Sequence, residues 1–226
     1  MKDLKKMPIT RKKMIVAVEY YLVMVVLFFY LYQTKKIGGT FLPSIYAVMF
    51  LFILPSILIK SGFGDKVAKY FWTIKKDKKQ FLFGILVIYL MSLLSWYFVV
   101  QLKMKGMGFQ SKEIVILFWQ NLIILPLGFL AQEFFFRGFL LKNFVDNFNK
   151  LFSITATSFL AVVFWFVFNK AVFDWRVLLG VLILNLGLSW LVVRFRSVIY
   201  SFLIYWAGWI VLNFIILWQV GQKIIK

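Results

Sequence analysis

Ala131-Gln132-Glu133-Phe134-Phe135-Phe136-Arg137-Gly138 sets two charges at the end of a long apolar run, about residues 114–141. An ionised side chain at membrane depth costs several kcal/mol unless it is paired or hydrated, so it marks a candidate functional site. Glu133 and Arg137 stand one helical turn apart and can neutralise each other. This stretch decides the fold, because a charged pair inside such a run belongs to a helix packed among other membrane helices.

The rest of the chain agrees. Of 226 residues, 63% are hydrophobic and the mean hydropathy is +0.88, which excludes an ordinary soluble domain. Apolar runs longer than the roughly 18 residues of a spanning helix recur along the sequence. They predict an all-α, polytopic transmembrane bundle of about seven spans, near 14–32, 40–59, 80–102, 114–141, 152–172, 177–193 and 198–219. The whole chain, 1–226, reads as a single membrane domain. Pro43, Pro55 and Pro126 fall inside these spans and predict bends. The basic start is followed by an apolar run too long for a signal peptide and without a small-residue cleavage site, so it reads as an uncleaved first span.

Charge sets the expected orientation and partners. The 27 Lys and Arg residues against 8 Asp and Glu give +19. The basic residues cluster at span ends, a pattern for anionic inner-leaflet lipids and not for nucleic acid. With the N-terminus inside, 18 basic residues fall on inner segments and 9 on outer ones. A multi-pass plasma-membrane protein with a cytoplasmic N-terminus is expected, and the richness in Lys, Ile and Phe points to a bacterial source. Between 62 and 80, Val67, Tyr70, Phe71 and Ile74 follow helical spacing. They form either a short amphipathic helix on the inner leaflet or part of a solvated basic loop.

The absence of His and Cys removes the usual soft metal ligands and disulfides. No metal or other cofactor is expected, since only Glu19 and Glu133 offer carboxylates within apolar segments. Glu19 lies about two turns beyond Lys12 and Lys13, where pairing with a basic group at the inner surface is the plain expectation. Gln132 shares a helix face with Asn121, eleven residues earlier, which suits interhelical hydrogen bonding.

Gln132 to Gly138 resembles the signature Glu-Glu-x-x-x-Arg-Gly of the CPBP family, the CAAX-protease and bacteriocin-processing group of intramembrane endopeptidases. The resemblance covers about residues 114–219. It implies water activation by the first Glu and a His of a Phe-x-x-x-His motif, with a later His and an Asn or Asp holding the scissile carbonyl. Residue by residue, the first Glu is Gln132, whereas Glu133 and Arg137 are kept. Thr157-Ser158 fits the lead-in to the second motif and puts Trp165 at the His position; a shift of three residues gives Phe164 and Phe168. Arg194-Phe195-Arg196-Ser197-Val198-Ile199 is similar to the family's Arg-Thr-Gly-Ser-Leu-Trp turn. Counting from it places Tyr205 at the third-motif His and Trp209 at the Asn/Asp, and a slip of one turn gives Trp209 and Asn213 instead.

An amide cannot serve as a general base, and no imidazole exists in any register. The expectation is therefore a non-catalytic CPBP-like scaffold that binds a peptide or a membrane protein partner. Two other readings stay open: an active endopeptidase with a non-standard site around Glu133 and Arg137, and a small subunit of a transporter or envelope-assembly complex. The plainer reading of Glu133 and Arg137 is a structural ion pair, and that of the Trp206, Trp209, Asn213 face is helix packing.

Topology is open to a direct test, because the native chain has no thiol. A membrane-impermeant reagent applied outside intact cells should label a single cysteine at Lys105 and spare one at Lys76. Outside labelling of position 76 would overturn the orientation.

Overall fold

The computed structural model describes residues 8–33, 41–71, 125–169 and 175–208. All regular structure among them is helical, with no strand. Helix α1 is Ile9–Gln33, and α2 runs through 41–62. A short 3₁₀ turn, Val67–Phe71, follows. Helix α3 is described over 125–145, α4 is Lys150–Asn169, α5 is Trp175–Phe195 and α6 is Val198–Gly208. Lipid offers no partners to the backbone, so each segment satisfies its own N–H and C=O groups as a helix.

Four of the described helices are long and apolar enough to cross a membrane: Ile9–Leu31, Ile45–Gly62, Lys150–Val167 and Leu178–Phe195. The expected third span, 80–102, lies outside the described residues. The fourth is described only from Leu125 and the last only to Gly208. The chain divides into two compact units, 1–74 with 131–201, and 75–130 with 202–226.

Within the first unit, the signature segment is the central element. Phe134–Leu140 winds as a π-helix in which all seven residues are buried. Seven consecutive residues cover every face of a helix, so this one is surrounded. Phe135 and Phe139 stack at 5.8 Å between ring centroids, Phe136 meets Phe164 of α4 at 5.4 Å, and Phe134 meets Phe52 of α2 at 4.9 Å. Two tyrosines of α1 tie their rings to neighbouring backbones. The Tyr21 hydroxyl donates to the Leu160 carbonyl at 2.8 Å and Tyr20 to that of Phe50.

The proline expected to bend α2 is absorbed locally. Pro55 sits between two π turns, Met49–Ile53 and Leu58–Gly62. Leu54 N–H bonds to the Met49 carbonyl and Phe63 N–H to that of Leu58, each five residues back. Widening the helix on both sides accommodates a residue that has no N–H to donate.

One end of the first unit gathers three segments. Lys13 of α1 pairs with Asp65 after α2 at 2.6 Å, and Asn147 after α3 donates to the Thr10 carbonyl at 3.1 Å. Neither of the two readings open for this segment, a leaflet helix or a solvated loop, is what forms over Val67–Phe71, and Ile74 lies outside the described residues. Tyr70 is buried, and Val67 and Phe71 pack on the protein core, so this apolar face meets α3 instead of lipid. Burial, reinforced by the bond to Asp65, pushes the Tyr70 phenol well up. Desolvation alone would raise Asp65, but its bonds to Lys13 and Tyr70 and the charges of Lys13 and Lys69 outweigh it and hold the carboxyl below its usual range. Asp65 is thus charged at neutral pH. Glu19 is exposed on α1 and makes no ion pair among the described residues.

Helices α5 and α6 are separated at Arg196-Ser197. Arg196 adopts φ 53°, and its N–H bonds to the Val192 carbonyl at 2.7 Å, a left-handed helix cap in which glycine is the usual residue. In the family turn that this stretch resembles, Gly occupies this position. Arg196→Gly should therefore stabilise the protein by about 1 kcal/mol, the relief of left-handed strain less the entropy of a glycine. A raised melting midpoint in detergent is the expected result, and a lowered one would show that the exposed arginine contributes more than its strain costs.

Candidate functional site

The site grows from the change of winding in α3. Glu133 closes the α-helical stretch Leu125–Glu133, and Arg137 lies in the π-helical stretch that follows. Glu133 is 0% exposed and Arg137 3%. Arg137 Nη1 donates to Glu133 Oε1 at 2.6 Å, and Nη2 donates to Asn185 Oδ1 of α5 at 2.5 Å. Asn185 Nδ2 in turn donates to the Val181 carbonyl at 2.7 Å, which fixes the amide with its oxygen toward the guanidinium. Ser201 of α6 faces the Glu133 carboxylate, but its proton is turned to the Val198 carbonyl at 2.8 Å. Glu133 Oε2 has no hydrogen-bond donor among the described residues.

A second polar seam lies between α4 and α5. Ser158 and Ser189 hydroxyls meet at 3.2 Å, both buried, with Thr157 buried beside Ser158 in sequence. Small hydroxyl residues let two membrane helices approach closely, which suits the tight pairing of α4 with α5.

The structure brings together Glu133 and Arg137 of the motif positions. Gln132 is half-buried on α3. Trp165 is half-buried on α4, next to Phe164, which is buried against Phe28 at 5.3 Å. Tyr205 belongs to the second unit, where its ring meets Phe129 edge-on at 4.9 Å; Trp206 stacks on Phe202 at 5.7 Å. Trp209 and Asn213, like Asn121 and the Phe168 side chain, lie outside the described residues.

Two residues that touch the pair went unread in the sequence, Asn185 and Ser201. A signal existed for the first. Asn185 is the one amide in the run 177–193, and Ser189 follows one turn later on the same face. Ser201 likewise follows Ser197 by one turn. Chemically, the arrangement is a neutralised pair. The Glu133 carboxylate is engaged by the Arg137 guanidinium, and a general base needs both a reachable water and freedom to take its proton.

Fold and site together define an all-helical membrane protein whose central helix carries a buried, braced ion pair. Residues 113–211 match the family model described as type II CAAX prenyl endopeptidase Rce1-like, which bears out the CPBP resemblance read from the signature. The match takes in the signature, the Thr157–Trp165 stretch and the Arg194–Ile199 turn. No curated protein and no solved structure matches the chain.

Arg137→Ala should cost more stability than the double change Glu133→Gln with Arg137→Gln. The single change strands a buried carboxylate, a loss of about 3–5 kcal/mol, whereas the double leaves neutral groups that can hydrogen-bond to each other and to Asn185. Melting in detergent checks the order, and a less stable double variant would refute the pairing as the main role of Arg137.

Proposed function

We propose that this chain is a non-hydrolytic CAAX-protease-type membrane protein that serves as a scaffold for a peptide or a membrane protein partner. The carrying observation is the state of Glu133, the one carboxylate kept from the signature. It is fully buried, paired with Arg137 and embedded in a helix walled by Phe134, Phe135 and Phe136. Hydrolysis in the resembled family calls for a carboxylate and an imidazole acting on water. Here the first carboxylate is an amide, and the sequence contains no imidazole. Loss of one member of such a cooperative unit typically costs several orders of magnitude in rate.

The binding region in this reading is the cytosolic mouth of the bundle. The 18-to-9 division of basic residues supports an inner location for the N-terminus and for the loops after α2 and α3, in a bacterial plasma membrane with anionic inner-leaflet lipids. The ion pair Lys13–Asp65 and the Asn147–Thr10 bond support it too, since they join the segments that this topology assigns to the inner side.

A second reading, an endopeptidase with a non-standard site around Glu133 and Arg137, is favoured by one detail. Glu133 Oε2 and the hydroxyls of Thr157 and Ser197 are buried without hydrogen-bond partners among the described residues. Purified protein in proteoliposomes, given a prenylated CAAX peptide, separates the two. Wild type and Gln132→Glu should both release no product above the Glu133→Gln background. Turnover by wild type that Glu133→Gln abolishes would replace the scaffold reading with the enzyme one.

A further inference from the structure

Arg196 holds a backbone position that its residue type disfavours. Its φ of 53° lies in the left-handed region, where a Cβ crowds the following carbonyl and glycine is the usual residue. The side chain is exposed and enters no hydrogen bond or ion pair among the described residues. Strain at a residue whose side chain serves no internal contact points to a contact made outside the protein.

The pairing of α4 with α5 sets what stands beside it. Ser158 meets Ser189 at 3.2 Å, and one turn nearer the helix ends Ile154 packs in one cluster with Val192 and Val198. One further turn brings Lys150, the first residue of α4, to the level of Arg194 and Arg196 at the end of α5. All three cations are exposed, and none forms an ion pair among the described residues. Lys150 also stands at the positive end of α4, where a cation is unfavourable without an anion nearby. Asp146, one turn earlier, is engaged by Lys142 at 3.3 Å. The carbonyl end of α5 supplies only about half a negative charge against the three.

Apolar side chains stand at the same level. Phe148 in the turn before α4, Leu151 and Phe152 on its first turn, and Phe195 at the end of α5 are all exposed. Phe148 and Phe152 meet at 4.9 Å between ring centroids, and Phe195 meets Tyr200 at 6.0 Å. Exposed rings mixed with lysine and arginine at the ends of apolar spans fit the layer where acyl chains give way to phosphates.

We infer that Lys150, Arg194 and Arg196 form a binding site for the head group of an anionic glycerophospholipid, and that Arg196 is kept in its strained turn by that contact. Charge complementarity selects the ligand. A zwitterionic head group brings its own cation into the cluster, whereas an anionic one leaves its phosphate charge to the three side chains. A soluble phosphate would serve the cations and leave Leu151, Phe152 and Phe195 uncovered; acyl chains cover them. The site goes beyond the general attraction of a +19 chain for an anionic leaflet, because it assigns the preference to three residues and denies it to other exposed cations such as Lys66. It is independent of the scaffold reading.

The test uses the full chain in nanodiscs of phosphatidylcholine into which phosphatidylglycerol is titrated. The readout is the melting midpoint, which rises as a ligand of the folded state binds. Wild type should gain stability saturably with phosphatidylglycerol. Arg196→Gly should melt above wild type in pure phosphatidylcholine, because the strain is gone, yet need about fivefold more phosphatidylglycerol for half of its gain. Arg194→Gln and Lys150→Gln should each weaken the response by a similar factor. Lys66→Gln removes the same charge outside the site and should titrate as wild type does. Native mass spectrometry of protein from mixed discs should find phosphatidylglycerol retained by wild type and lost from the Arg194→Gln, Arg196→Gly double variant. Equal weakening in Lys66→Gln would reduce the effect to overall charge and overturn the site, as would an Arg196→Gly titration that matches wild type. Inorganic phosphate added to pure phosphatidylcholine discs should leave the midpoint unchanged. A rise equal to that from phosphatidylglycerol would overturn the lipid assignment in favour of a soluble anion. The scaffold reading stands or falls separately, since no arm of this test measures partner binding.

Discussion

Two opposite charges with almost no access to water set the terms for the rest of this fold. Taking a carboxylate and a guanidinium out of water costs several kcal/mol each, and their attraction repays it only when the remaining hydrogen-bonding sites are served. Glu133 uses one oxygen on Arg137, and Arg137 has further donors to place. Asn185 takes one of them, from a helix 48 positions away in sequence. Because Asn185 is itself pinned to the Val181 carbonyl, α5 cannot slide along α3 without unpairing a buried group. The ion pair is thus a register device that states which turn of α5 faces which turn of α3.

The aromatic shell follows from the same constraint. A pair in an apolar medium needs a surrounding that excludes competing water, and the stretch of chain between the two charges, Phe134, Phe135 and Phe136, is itself buried on all three rings. In an α-helix those three rings would already point to three sides. The π winding over Phe134–Leu140 spreads them further and leaves every residue of the stretch in contact with a neighbouring element. The widened turn is paired with the widened turns of α2, whose Phe52 enters against Phe134. Packing here is by rings set edge to face, a geometry that adds directional preference to simple burial.

What could be read from the sequence is what lipid and local spacing dictate. Helices were legible because nothing else satisfies a backbone in hydrocarbon. The Glu133–Arg137 contact was legible because both residues lie on one helix. The break between α5 and α6 was legible from the charged Arg194-Phe195-Arg196-Ser197 turn. Asn185 and Ser201 were not, because a contact between distant helices leaves no local pattern; a lone amide in an apolar run says only that it has a partner somewhere. The Val67–Phe71 turn shows the limit most clearly. Its apolar spacing was visible, yet an apolar face fits a leaflet and a protein core equally well. The choice was made by features with no periodicity: Gly138, where an added methyl would stand 2.6 Å from the Tyr70 carbonyl oxygen, and Asp65, which accepts from Tyr70 and Lys13. Glu19 failed in the opposite way: a basic partner at the inner surface was the plain expectation, and the exposed side chain makes no ion pair among the described residues.

The retained pair also bears on how the proposed loss of activity should be judged. Gln132, Trp165 and Tyr205 stand at positions where the resembled family carries catalytic groups, and all three are uncharged. Neutral positions are free to change one at a time without stranding a buried charge. Glu133 and Arg137 are not, because either single loss leaves a buried charge without its counter-ion, and only a simultaneous change avoids that state. A charged signature can therefore outlast the chemistry it once served, held by desolvation alone. For this chain the survival of Glu133 and Arg137 is evidence about folding, and the replaced positions around them carry the evidence about function.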